Sequence, residues 1–431
     1  MPRLILAAAA ALALIPSATS AQEEATLGNP AATAVETRAQ DLVPAMRADI
    51  AYEEVFADVF RNSISEDQFL AIRTQLESQF GQLVGLESVT PVSETNAELV
   101  FRFEDALANG LVSVQAEAPH LVTGFRLTDF QPLDDSPEGL LADLEALPGE
   151  ASLLITRLGA ETPLLAYNAN SQLALGSTFK LYVLSALTQA IAAGNLAWDD
   201  VIELDQSSYP SGQMQDWPSG SPVTLHTLAV LMISISDNTA TDQLIEVLGR
   251  EAIEAEVAAS GHDRPELNSP FMTTRELFVL KSGGDEELAA YRAMNVDERR
   301  DALNALTNVD RDTNDIMAAF SGGPNAIDIE WFASSNDIAA LFERIRDAGE
   351  ETALGVMAVN PSLSSNTQDD WRYAGFKGGS EPGVLNFSWL LQDQAGEWWT
   401  ITMGWNNPDA EVDMQQFELL SARAVALAAD F

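Results

Sequence analysis

Ser177 and Lys180 stand three residues apart at the head of an almost wholly apolar run that continues to Ile191. At helical spacing the lysine lies one turn beyond the serine, on the same face and within reach of its oxygen. Gly194 supplies a stop beyond the run. A helix that is apolar all round is a buried one. Its N-terminus offers Ser177 unpaired backbone N–H groups and the positive end of the helix dipole. Desolvation lowers a lysine pKa, and a serine beside such an amine has a base to take its proton. Taken alone, the pair reads more simply as an N-cap serine and a lysine whose stem lies on apolar surface.

Two more polar clusters give the pair a context. Ser236-Asp237-Asn238 follows the apolar run Leu228–Ile235 as a short polar loop between helices. Lys377-Gly378-Gly379-Ser380 follows Phe376 on or beside a strand. By themselves the first is an N-cap cluster and the second an edge lysine with a glycine bulge. Chemistry gives them one purpose. Acyl transfer needs a nucleophile, Ser177, and a base, Lys180. It also needs a proton for the leaving group, which Ser236 relays, and two backbone N–H donors for the oxyanion, from Ser177 and Ser380. Asn238 holds Lys180 or binds a substrate amide. Lys377 lowers nearby pKa values and attracts a substrate carboxylate. Gly378 and Gly379 let a substrate lie against the strand.

This ordered set resembles the signature of the serine β-lactamase and penicillin-binding-protein superfamily, S-x-x-K, S-D-N and K-T-G, over about Leu140 to Phe431. S-D-N looks like the class A form. Two positions depart from the pattern. The third motif is Lys377-Gly378-Gly379, without the threonine hydroxyl that Ser380 would have to replace. In the loop Gly261–Asn268, Arg264 stands where class A enzymes keep the glutamate that activates the deacylating water. Glu266 is shifted by two and in a helix-free loop would point elsewhere. A guanidinium accepts no proton, so the alignment predicts slow deacylation. The whole layout also looks like the two-domain serine hydrolases related to the β-lactamase-like protein of clavulanate biosynthesis. Those relatives imply a steroid-isomerase-like (NTF2-like) front domain and weak esterase or β-lactam-acylating activity.

The elements that must position these residues form an α+β, α/β multidomain chain. Gln22–Gln40 reads as a linker. Helical patterns run near Leu42–Phe60 and from Ser65, whose spacing to Gln68 matches a capping box. The period then changes to alternation at Ala97–Phe103, with a hairpin signal at Asn109-Gly110 and further strands at Leu111–Ala116 and Leu121–Phe130. These elements make a small α+β domain, 41–133, with no clustered titratable set. Leu133–Gly139 is the boundary. The second domain, 140–431, opens with strands at Gly149–Leu158 and Leu164–Tyr167. It closes with strands in Phe376–Leu391 and Trp398–Trp405 and a helix in Glu411–Ala429. Capped helices start at Thr224, at Asn238 or Thr239, at Thr273 and at Ser334. The terminal strands must pair into one sheet, since each alone is too short to bury itself. The resemblance implies an antiparallel sheet flanked by helices plus an all-helical subdomain.

Composition narrows the function. There are 65 acidic residues against 22 basic ones, a formal net charge of −43, which argues against nucleic-acid or anionic-membrane binding. The acids are scattered, as on a solvated surface suited to salt. There is no cysteine, and the three histidines, His120, His226 and His262, form no metal-ligand pattern. No metal or organic cofactor is implied. Met1–Ala21 reads as a signal peptide, with Arg3, an apolar stretch Leu4–Ile15 and a small-residue cleavage site. The expected protein is an exported, periplasmic or secreted, serine hydrolase that forms an acyl-enzyme at Ser177 with a β-lactam, ester or acyl-peptide. The alternatives are a cell-wall D,D-peptidase and a cell-wall peptide-binding protein without turnover.

Overall fold

The computed structural model describes residues 34–133, 136–306, 309–363 and 365–429. The signal read in 1–21 lies outside them. Among the described residues no helix is long and apolar enough to cross a membrane.

The N-terminal part sets five helices, the longest Glu66–Phe80, against four antiparallel strands in sequence order: Leu83–Pro91, Asn96–Phe103, Ala106–Val114 and Val122–Pro132. Burial alternates strictly along Ala106–Val114, as a pleated strand with one face on a core requires. Phenylalanines, among them Phe56, Phe69, Phe101 and Phe130, dominate that core. The capping box at Ser65 and Gln68 forms as the spacing requires.

Three local expectations change. Ala34–Gln40, read as linker, is a helix with Val35 and Ala39 fully buried, so from Ala34 the chain belongs to this fold. The helix read near Leu42–Phe60 breaks into Leu42–Met46, Tyr52–Val55 and Asp58–Arg61, because Ala48 turns left-handed and Ala51 and Ala57 are extended. Asn109-Gly110 is no turn. Both lie inside a continuous strand, paired with Val100 and Leu99, and the register slips there against the last strand. A glycine within a strand marks such a bulge as readily as a turn.

In the second part, one antiparallel sheet runs in the order Tyr373–Glu381, Val384–Gln392, Trp398–Asn406, Glu150–Arg157, Leu165–Tyr167. Pairing of Asn406 with Glu150 through Trp399 with Arg157 joins the two ends of the domain. Phe376–Leu391 is thus two strands, not one. The helices Pro137–Glu145 and Met414–Ala429 share a core with one sheet face. The helical part, built around Lys180–Ala192, in which every residue from Lys180 to Thr188 is buried, shares its core with Leu390 of the same sheet.

One excursion shapes the site. Asn268 bonds both backbone groups of Phe332: its Oδ1 accepts from the amide and its Nδ2 donates to the carbonyl, each at 2.9 Å. Between these two residues the chain leaves and returns through the helices Thr274–Lys281, Asp285–Ala293, Val296–Leu306 and Thr313–Ala319. Phe332–Ala333 then pairs with Leu173–Ala174, just ahead of Ser177.

Candidate active site

Ser177 lies in a 3-10 turn, Gly176–Phe179, that leads into the helix Lys180–Ala192. The turn is fixed on several sides. Asn406 bonds the amide and carbonyl of Ala174 at 2.7 and 3.1 Å. The Leu175 amide donates to Trp331 O at 3.0 Å. Trp331 stacks on Phe179, with ring centroids 3.5 Å apart. The Lys377 strand closes the remaining side. A Cβ on Gly379 would sit 2.0 Å from Leu175 O and 2.6 Å from the Ser177 nitrogen, and one on Gly176 would sit 2.8 Å from the Ser380 nitrogen. Only glycine at both places allows the strand to lie against the turn. That contact brings the Ser177 and Ser380 amides together.

Lys180 is fully buried. Its Nζ donates to Ser236 O at 2.7 Å, Ser236 Oγ at 3.0 Å and Asn238 Oδ1 at 2.7 Å. Lys377, also buried, donates to Ser236 Oγ at 3.1 Å and to Gly378 O. The Ser236 hydroxyl therefore lies between two amines. Ser236 has a left-handed backbone, φ 59°, a conformation that costs an ordinary residue about 1 kcal/mol or more. Its carbonyl is held there by Lys180 and by Ser211 Oγ at 2.7 Å. Asn238 is anchored in turn through Nδ2 to Tyr209 O. The next helix starts at Asn238, one of the two starts expected, and is capped by Asp237, whose Oδ1 accepts from Ala240 N.

Burial drives the Lys180 pKa well below that of a free lysine, and the neighbouring charge of Lys377 adds to it. Burial alone brings Lys377 down to about 7. Ser177 Oγ has no hydrogen-bond partner among the described residues. The expected contact with Lys180 is absent, since its Nζ turns instead to Ser236 O, Ser236 Oγ and Asn238 Oδ1.

Ser177, Ser236, Asn238 and the run Phe376–Pro382 line a cleft of about 620 Å³, together with Phe278 and Phe320 of the excursion. The profile of the Beta-lactamase enzyme family matches residues 140–386, more than half of the chain. The chain belongs to that family. Its motifs stand in the serine β-lactamase and penicillin-binding-protein superfamily. Among curated proteins no similar sequence is found. Of the solved structures, a β-lactamase from Sphaerobacter thermophilus is 22% identical, covering 68% of this chain and 95% of its own, with a TM-score of 0.45. PBP-A is 18% identical, with coverages of 68% and 95% and a TM-score of 0.47. A β-lactamase from Chitinophaga pinensis is 15% identical, with coverages of 68% and 97% and a TM-score of 0.46.

The loop in which β-lactamases of class A would carry their glutamate gives nothing to this cleft. Arg264 and Glu266 pair with each other at 3.1 Å, both more than half exposed, and neither lines the cleft. The loop is not free of helix, since Pro265–Asn268 forms a 3-10 turn. Its inward side chains are His262 and Asn268, and both bond Phe332 O.

Sequence reasoning missed a third group at the cleft. Lys281, buried in the excursion, donates to Glu381 Oε1 and Oε2 at 2.7 and 2.8 Å and to Glu330 Oε1 at 3.2 Å. Both glutamates line the cleft. Burial pushes Glu381 up to about 8, with the Glu330 charge adding and Lys281 opposing. Burial pulls Lys281 down, but the two carboxylates outweigh it and its pKa is raised. The signal that could have found the cluster is the rarity of lysine. Lys180, Lys281 and Lys377 are the only lysines in the sequence, and all three are buried beside one cleft.

Proposed function

We propose that this protein is an exported serine hydrolase that forms an acyl-enzyme at Ser177, acting on β-lactams, esters or acyl-peptides. The observation that carries the reading is the Ser236 hydroxyl between Lys180 and Lys377, on the cleft that Ser177 lines. Lys180 Nζ has three polar partners. As an amine it releases one of them and turns its lone pair to Ser177 one turn away, and burial favours that uncharged form. Ser177 Oγ attacks the carbonyl. The oxyanion takes the Ser177 and Ser380 amides, and Ser236 delivers the proton to the leaving group. Asn238 keeps Lys180 in place, and Lys377 holds Ser236 and draws in a carboxylate. Gly378 and Gly379 leave the strand open for the substrate backbone.

A D,D-peptidase reading is favoured by one observation: Arg264 points to solvent, so the loop supplies no base to clear the acyl group. Fluorescent penicillin followed by intact-mass measurement tests the main reading. One label per chain is expected, and none on Ser177→Ala at unchanged melting temperature. An adduct that persists on the alanine variant sinks the assignment.

A further inference from the structure

We propose that Glu381, clamped with Glu330 by Lys281, is the base that activates the deacylating water, in place of a carboxylate from the Arg264 loop. This rests on the acyl-enzyme reading of Ser177.

Placement carries the argument. Lys377, Gly379 and Glu381 alternate on one strand, so they share a face. Gly379 lies against the Ser177 amide and Lys377 against Ser236. Glu381 is therefore on the far side of the serine from the acylating residues. Residues two apart on a strand are separated by about 7 Å, a gap that a glutamate side chain and one water span together. Glu330 approaches from the second direction. It precedes Trp331, whose carbonyl holds Leu175 and whose ring stacks on Phe179, while Glu330 Oε2 accepts the Trp331 amide at 3.0 Å. Of the two carboxylates, Glu381 is the more open, with its side chain 9% exposed against 1% for Glu330.

The charge count points the same way. Two buried carboxylates share one ammonium. A second buried carboxylate costs stability, since one partner already satisfies the lysine charge. Like charges at one site raise the affinity for a proton, and that is the property a general base near neutral pH requires. The Arg264 loop brings no base to the cleft, whereas the excursion that follows it brings Lys281 and, through it, two carboxylates.

The step balances. Glu381 takes a proton from water as the water oxygen bonds to the ester carbon, and the carbonyl electron pair moves to the oxygen held by the Ser177 and Ser380 amides. Collapse restores the carbonyl and breaks the C–Oγ bond, the proton passes from Glu381 to Ser177 Oγ, and the free acid leaves. Lys281 and Glu330 act as positioning residues.

The test loads protein with fluorescent penicillin, removes the excess and follows loss of the adduct by intact mass. Glu381→Gln is expected to take one label per chain and to hold it roughly a hundredfold longer or more. Glu381→Asp should recover part of the rate, which a purely structural role does not require. Glu330→Gln should also prolong the adduct. In the unmodified protein, loss should rise with pH through about 8, a limb absent from Glu381→Gln. The groups facing Glu381 are Lys281 and Glu330, with Lys377 two residues back. Lys377 titrates near 7, and its limb should remain in the variant. An adduct lost from Glu381→Gln at the unmodified rate overturns the proposal. If that variant does not fold, an unchanged rate in Glu330→Gln overturns it. A failure of unmodified protein to label at all is a different result, and it removes the acyl-enzyme reading itself.

Discussion

Lys180 and Lys377 on one side of the cleft and Lys281 on the other are almost equally buried, yet their surroundings treat charge in opposite ways. The first two meet hydroxyl, amide and carbonyl oxygens, so burial wins and their proton affinity falls. Lys281 meets two carboxylates, and their attraction outweighs the same burial. Depth alone therefore does not decide the state of a buried amine. The partner does, and it separates amines fit for proton transfer from one fit to hold carboxylates.

The comparison is most exposed at Lys180. Lys180→Ala should slow labelling of Ser177 by about 10²–10⁴-fold, the usual worth of a positioned base, measured as adduct formation against time. A smaller loss would assign the base to Lys377 instead. Lys281→Met should destabilise the fold by about 3–5 kcal/mol, because it leaves two buried carboxylates unpaired, as denaturant melts can report.

Lys377→Met should do the reverse, ending labelling while stabilising the fold by about 1–3 kcal/mol. The sign follows from linkage. Lys377 holds its proton to about 7 when folded and to about 10.4 when unfolded, so its burial is fully costly below 7 and the cost fades as pH rises toward 10. The variant's advantage in melting temperature should shrink over that window. Because the sequence has only three lysines, protein labelled with ¹³C at lysine Cε gives three side-chain signals. Two should titrate well before the third, which should stay charged to the alkaline limit. Three signals that titrate together would erase the contrast.

The smallest effect concerns the surface. At a net charge of −43, added sodium chloride should raise the melting temperature by a few degrees as the screening length falls from about 10 Å at 0.1 M to about 3 Å at 1 M. It should leave the Lys281→Met deficit nearly unchanged, since buried pairs are screened much less.

The candidate site residues were legible because they stand in short local patterns: Ser177 with Lys180, Ser236 with Asn238, Lys377 with two glycines. The capping boxes at Ser65 and Thr273 and the cap at Ser334 were legible for the same reason. The Lys281 cluster was not, since its partners lie 49 and 100 residues away and no motif joins them. The closure of the excursion through Asn268 was equally hidden, because a side chain that bonds a distant backbone leaves no period. Asn109-Gly110 misled because a bulge and a turn ask for the same residues. Ala34–Gln40 looked like linker because a short helix with two small apolar contacts shows no clear stripe.

The closing helix Met414–Ala429 packs on the last sheet, but its Leu419 is buried in the phenylalanine core of the N-terminal part. The strand Glu150–Arg157 likewise waits for Trp398–Asn406. Both cores are therefore complete only once Trp398–Asn406 and Met414–Ala429 are in place. Such late, long-range closure slows folding and keeps the chain open during synthesis. Removal of the helix Met414–Ala429 would leave two unfinished cores and should yield aggregated protein where a surface helix would have been dispensable.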